Sequence, residues 1–308
     1  MSRSIWRQAA EAVLAAVIVV GAMFGVEALA LRSSLGSEIW TRHHDVYTIR
    51  RIPPSNKALD EWAAAQPKTN HPFLDWEPGC LILDYDRLEG LAPLAPPWRL
   101  LGVGDPVRAK RAARPIRHLS PALMCSVGVG ATLFLFAAGL FGWRLMALQH
   151  TAHLPALSPG WRSAALAGLA GGAIAALASF GISNAFSQWA PSLVAQPTHE
   201  SVVVLRGHAG WIAVWLLSLC ILTPIAEETF FRGFLFGPFA VARRPWLGAV
   251  ITASLFGAAH WGQGIDGVLG AAFFGLLAAW LYVRNRTLVA PIVAHIVMNV
   301  AAAYALMH

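Results

Sequence analysis

Charge is scarce in this chain. Only 13% of its 308 residues are Asp, Glu, Lys or Arg, about half the share of an ordinary soluble domain. Hydrophobic residues make up 56% and the mean hydropathy is +0.55, a balance that excludes a soluble globule. Lysine is rarer still: three Lys stand against twenty Arg, a bias that points to a GC-rich bacterial source. Of the three cysteines, Cys125 and Cys220 fall inside apolar runs and Cys80 stands apart, so no disulfide framework is expected. The net charge of +7 does not argue for nucleic acid. The basic residues mostly flank apolar runs, where they meet anionic lipid headgroups and set topology.

What the chain does have is long apolar runs. A membrane-spanning helix needs about 20 mostly apolar residues, and seven runs qualify, at 9–31, 121–142, 163–186, 210–237, 246–261, 265–283 and 288–306. The expected fold is an all-α integral membrane protein of about seven transmembrane helices, with a polar extramembrane insert between the first and second. The expected parts are a membrane anchor helix at 1–32, the insert at 33–118, and a multi-helix membrane domain at 119–308. A cleavable signal peptide is the other reading of the first run, since Arg3 and Arg7 precede it and Ala28-Leu29-Ala30 resembles a cleavage site. Its length favours an uncleaved anchor.

The insert concentrates the charge. Between Ser33 and His118 lie twelve Lys/Arg and ten Asp/Glu, against eleven and six in all the rest. It is rich in Pro and Trp and has no clear repeat. A small domain, a substrate-gating element and a loop packed on the membrane all stay open, the loop being the plainest. With the N-terminus in the cytoplasm, the cytoplasmic segments carry Arg3, Arg7, Arg144, Arg162, Arg243, Arg244, Arg284 and Arg286, while the short opposite loops carry only Arg206. The positive-inside bias therefore favours a cytoplasmic N-terminus. The basic run Arg108, Lys110, Arg111, Arg114 and Arg117, close to the second span, pulls the other way.

Charged side chains inside a span cost about 2.5–3.5 kcal/mol each, yet the fourth run contains Pro224-Ile-Ala-Glu227-Glu228-Thr-Phe-Phe-Arg232-Gly233. Glu228 and Arg232 are four apart with the acid first, the favourable order for a helical ion pair. Glu227 points about 100° away and needs another partner. Later runs offer Phe256-Gly-Ala-Ala-His260 and His295-Ile-Val-Met-Asn299. Taken singly, an intramembrane His or Asn is as readily helix-packing glue. Measured at ~1.5 Å per residue from the cytoplasmic helix ends, however, Glu227, His260, His295 and Asn299 all fall roughly 12–21 Å deep. Four polar groups from three helices in one layer describe a shared site. A carboxylate with a histidine can activate water, and a histidine with an asparagine can donate to an oxyanion. The same acid and two histidines would also suit Zn²⁺ with one open position.

The ordered set E-E-x-x-x-R, F-x-x-x-H and H-x-x-x-N on successive membrane helices, over about 210–308, resembles the CAAX-protease and bacteriocin-processing family of intramembrane endopeptidases. The resemblance implies a protease core there, with Glu227 and His260 activating water, His295 and Asn299 forming the oxyanion hole, and Glu228 with Arg232 as a structural pair. It implies a peptide or protein substrate entering from the membrane, in contact with lipid and not nucleic acid. No cofactor is the first expectation. Zinc held by Glu227, His260 and His295 is the alternative, because the family has been described both ways. A bacterial source would place the chain in the inner membrane and favour peptide, bacteriocin or sorting-tag substrates over prenylated C-termini.

Other classes fit less well. Gly102-Val-Gly104-Asp105 and Tyr85-Asp86 imitate the pairs of presenilin-type aspartyl proteases but sit in the polar insert. Gly181-Ile-Ser183 imitates the rhomboid serine motif but leaves Glu227 and Glu228 unexplained. H-E-x-x-H is absent, against a site-2-type metalloprotease. A non-catalytic scaffold or immunity protein is the competing reading, and near-isosteric Glu227→Gln separates the two.

Overall fold

The computed structural model describes residues 2–32, 37–48, 73–77, 80–88, 107–148, 160–190, 205 and 208–307. Two compact units emerge: Met1–Leu29 with Met124–His308, and Ala30–Leu123.

The first unit is built of helices joined by short turns among its described residues. Its helices are α1 (Ser2–Arg32), α2 (Pro121–Leu148), α3 (Trp161–Trp189), α4 (Ala209–Leu235), the short α5 (Gly237–Val241), α6 (Pro245–Ala259), α7 (Gly264–Asn285) and α8 (Val289–Met307). Six of these are long and apolar enough to cross a membrane. The run expected at 246–261 yields only the 15 residues of α6. This is an integral membrane protein, and its surface shows it: Leu177, Phe180, Phe141, Trp246 and Trp261 are all widely exposed, as lipid-facing and interfacial side chains are. Trp161 and Trp189 bracket α3 at about 42 Å by helical rise, close to the full thickness of a bilayer with its headgroups.

Lipid is as apolar as leucine, so helices in it associate by close packing of small residues. On α3 the buried residues are Ala164, Gly168, Gly171, Gly172 and Ala175. A Cβ on Gly168 would stand 2.5 Å from the Ala290 carbonyl oxygen, and one on Gly172 2.6 Å from that of Ala294. Backbone therefore lies on backbone along this seam, and it fixes α8 at Ala294, the residue before His295. Similarly, a Cβ on Gly275 of α7 would stand 2.8 Å from the Cα of Ala253 on α6. The core between the helices is filled by Phe230, Phe231, Phe256, Phe274 and small alanines.

The second unit differs from the plain loop expectation. It contains a four-stranded antiparallel sheet of order β2-β3-β1-β4, from β1 (Ser37–Thr48), β2 (Phe73–Glu77), β3 (Cys80–Leu88) and β4 (Val107–Leu119). β1 runs from Trp40↔Leu88 to Thr48↔Cys80 against β3, and it pairs with β4 through a register shift at Val46/Tyr47. The sequence gives no apolar alternation here because the buried face of β1 is polar: His43, Asp45 and Tyr47 occupy alternate positions and are all buried. Residues two apart share a strand face, and the Tyr47 hydroxyl donates to Asp45 Oδ2 at 3.4 Å. Tyr85 and Asp86 fall on β3, and Gly102–Asp105 lie outside the described residues.

Candidate active site

The acidic motif sits on a helix that changes its winding. Within α4, the α-helical turn Thr223–Glu228 lies between two wider π-helical stretches, Ser218–Leu222 and Thr229–Leu235. Pro224 explains the first. A proline inside a helix has no N–H to give and disrupts the regular ladder, and π-turns absorb such breaks, often at functional sites. The Thr223 N–H reaches five residues back to the Ser218 carbonyl. With Pro224 unable to donate, the Leu219 carbonyl is left over, and Asn299 of α8 supplies its bond, Nδ2 to oxygen at 2.8 Å. The second wide turn closes with Phe236 N–H on the Phe231 carbonyl at 3.0 Å.

Glu228 and Arg232, four apart as the sequence spacing requires, bond at 2.9 Å between Oε1 and NH1, and both side chains are fully buried. The other terminal nitrogen, NH2, donates to the Gly275 carbonyl at 3.1 Å. The guanidinium lies over the rings of Phe256 at 5.0 Å and Phe274 at 5.6 Å, within reach of their π faces. A buried ion pair is tolerable only when its remaining donors and acceptors find partners. Here one α7 carbonyl and an aromatic wall supply part of this, while Arg232 Nε and Glu228 Oε2 are buried without a hydrogen-bond partner among the described residues.

His295 stands between the two glutamates. Its Nδ1 lies 2.9 Å from Glu228 Oε1, and its Nε2 lies 3.7 Å from Glu227 Oε2. The imidazole is held by Phe274, with ring centres 4.6 Å apart, and by Phe256 at 5.8 Å. The adjacent acids therefore have different surroundings. Glu228 is closed in at 0% side-chain exposure, whereas Glu227 keeps 16%.

His260 caps the C-terminal end of α6. Its Nδ1 is 2.8 Å from the Phe256 carbonyl. A carbonyl only accepts, so Nδ1 carries the hydrogen and Nε2 is the nitrogen turned to other work. Its ring centre is 4.7 Å from that of Phe256, which in turn meets His295.

The structure thus joins Glu227, Glu228, Arg232 and His295 in one contact network. Asn299 is attached one turn along α8, and His260 is linked through Phe256. No direct bond runs from His260 to Glu227 among the described residues. Leu219, Phe274 and Gly275 also belong to this network but leave no mark in the sequence, two of them because they act through backbone carbonyls. Asp266 lies in the first turn of α7, is buried, and accepts a bond from Ser183 Oγ of α3 at 2.7 Å. That bond gives the serine of the rhomboid-like tripeptide a partner outside any hydrolytic set.

The proposed zinc ligands can be tested on the same geometry. Both His295 nitrogens face carboxylates, and no three His, Cys, Asp or Glu side chains converge on one point among the described residues. As placed, Glu227, His260 and His295 do not form a metal-binding set.

Residues 209–301 match the family model described as Rce1-like: Type II CAAX prenyl endopeptidase Rce1-like. The matched stretch is a little under a third of the chain, runs from the start of α4 into α8, and contains every residue of the network above. No curated protein and no solved structure matches the chain.

Proposed function

On the premise of that family match, we propose that the protein is an intramembrane endopeptidase that hydrolyses a peptide bond in or near the bilayer. The single observation that carries this reading is the division of labour between two adjacent acids: Glu228 is sealed against Arg232 and His295, while Glu227 keeps open surface beside an imidazole. A purely structural pair would need only the sealed one.

In the proposed reaction Glu227, with His260, takes a proton from water as the hydroxide attacks the scissile carbonyl carbon. The carbonyl oxygen becomes an oxyanion, which accepts hydrogen bonds from His295 and from the Asn299 amide hydrogen not engaged by Leu219. The proton then passes to the amide nitrogen as the C–N bond breaks. The substrate is a peptide or protein reaching the site from the membrane, with residues 1–32 acting as an uncleaved anchor. The cytoplasmic N-terminus and a bacterial inner-membrane location belong to the same proposal.

The test uses purified protein in detergent micelles with a quenched-fluorescent peptide ending in an isoprenylated CAAX box, beside its unlipidated twin. Glu227→Ala and His260→Ala are each expected to lower turnover by about 10²–10⁴-fold with the protein still folded. Cleavage by either variant at the wild-type rate would overturn the assignment. The reaction is proposed to need no metal. Stoichiometric zinc in active enzyme, removed by chelator with loss of activity and restored on re-addition, would overturn that part.

A further inference from the structure

Glu228 has a second bond that the ion pair with Arg232 does not require. Arg232 NH1 and His295 Nδ1 both point at the same oxygen, Oε1, each at 2.9 Å. An ionised carboxylate only accepts, so both nitrogens donate. With Nδ1–H committed to Glu228, anything His295 does to reacting atoms runs through Nε2, and that nitrogen faces Glu227 Oε2 at 3.7 Å.

The surrounding contacts leave the ring little freedom to choose otherwise. Phe274 and Phe256 pack against it, and the Gly172–Ala294 seam pins the helix it rides on. Arg232 is itself held by Gly275 and by Glu228, so the oxygen that receives His295 is fixed in turn. A carboxylate that holds the far nitrogen of a histidine fixes its orientation, as the buried aspartate does for the histidine of serine hydrolases, and with Nδ1–H given to Glu228, donation to an oxyanion uses a second hydrogen on Nε2, the doubly protonated ring.

We infer that Glu228 is a positioning residue for His295, orienting the imidazole so that Nε2 faces Glu227 and the substrate. The inference rests on the hydrolase reading but concerns a residue that this reading treats only as the partner of an arginine.

Two measurements test it. The first needs no substrate: ¹⁵N NMR of histidine-labelled wild-type protein in micelles, with the His295 signals identified by their loss in His295→Ala. A hydrogen on Nδ1 is expected. A bare Nδ1 with the hydrogen on Nε2 would overturn the inference. The second is a double-mutant cycle on peptide cleavage. Loss of the carboxylate charge weakens the hold on a ring that donates from both nitrogens, Nδ1–H to residue 228 and Nε2–H to the oxyanion, so Glu228→Gln is expected to lower kcat by about 10²-fold or more with KM little changed. Combined with His295→Ala it should add almost nothing, since residues acting as a unit are strongly non-additive. Losses that multiply in the double variant would mean that Glu228 acts only by supporting the fold. No cleavage by wild-type protein would instead count against the hydrolase reading, leaving the NMR measurement to decide the positioning.

Discussion

In the membrane unit, buried polar groups find one another across helices: Glu228 takes Arg232 from its own turn and His295 from α8, while Arg232 takes a carbonyl from α7. In the sheet unit, His43, Asp45 and Tyr47 follow one another along one face of β1, and the bond between Tyr47 and Asp45 stays within the strand. The two differ in reach. The Tyr47–Asp45 bond closes within three residues of one strand, whereas the membrane network exists only when several helices are already docked. Removing one member of such a network leaves charges stranded in a medium that cannot solvate them.

The comparison is broken most severely at Arg232. Arg232→Ala leaves Glu228 buried without its permanent countercharge, at a cost of roughly 3–5 kcal/mol. It is expected to cut folded yield and thermal stability sharply, while Glu227→Gln, on the partly open acid, leaves the melting temperature near that of wild type. Equal melting temperatures for Arg232→Ala and wild type would show that the network does not hold the helices. A smaller effect is expected at the seam that delivers His295. Gly172→Leu must displace backbone, since even its Cβ would meet the Ala294 oxygen at 2.6 Å, and overpacking of this kind costs about 1–3 kcal/mol. The matched control is Gly181→Leu on the same helix, where a Cβ would meet nothing within 4 Å. Similar melting curves for the two would place the packing elsewhere. The smallest effect belongs to the strand. Tyr47→Phe deletes a single hydroxyl donor and is expected to cost about 1 kcal/mol, read as a modest shift in the denaturation of the sheet unit. A loss as large as that of Arg232→Ala would erase the distinction between the two regions.

Much of this architecture is readable from residues. Six of the seven apolar runs coincide with helices long and apolar enough to cross a membrane, the run at 246–261 giving only a shorter one, and the four-residue spacings foretell that Glu228 meets Arg232 and that Phe256 meets His260. Other features are written in ways that apolar patterning does not detect. The π-turns around Thr223–Glu228 come from a proline whose consequence is a spare carbonyl, and Asn299 answers that carbonyl from 80 residues away. The buried face of β1 is polar, so alternation of hydrophobicity, the usual mark of a half-buried strand, is missing. The position of His295 between two acids depends on the approach of α8 to α4, which no local pattern encodes.

The shortness of α6 bears on the supply of the second reactant. Fifteen residues rise only about 22 Å, against a hydrocarbon layer of about 30 Å. Trp246 and Trp261, both largely exposed, stand at its two ends, and interfacial aromatics draw such ends toward the headgroups. Local thinning of the bilayer is one way in which such a hydrophobic mismatch is met. The lipid annulus beside α6 would then be shallower than elsewhere around the protein, and His260, at the end of that helix, would lie nearer to bulk water than its place in a membrane sequence implies.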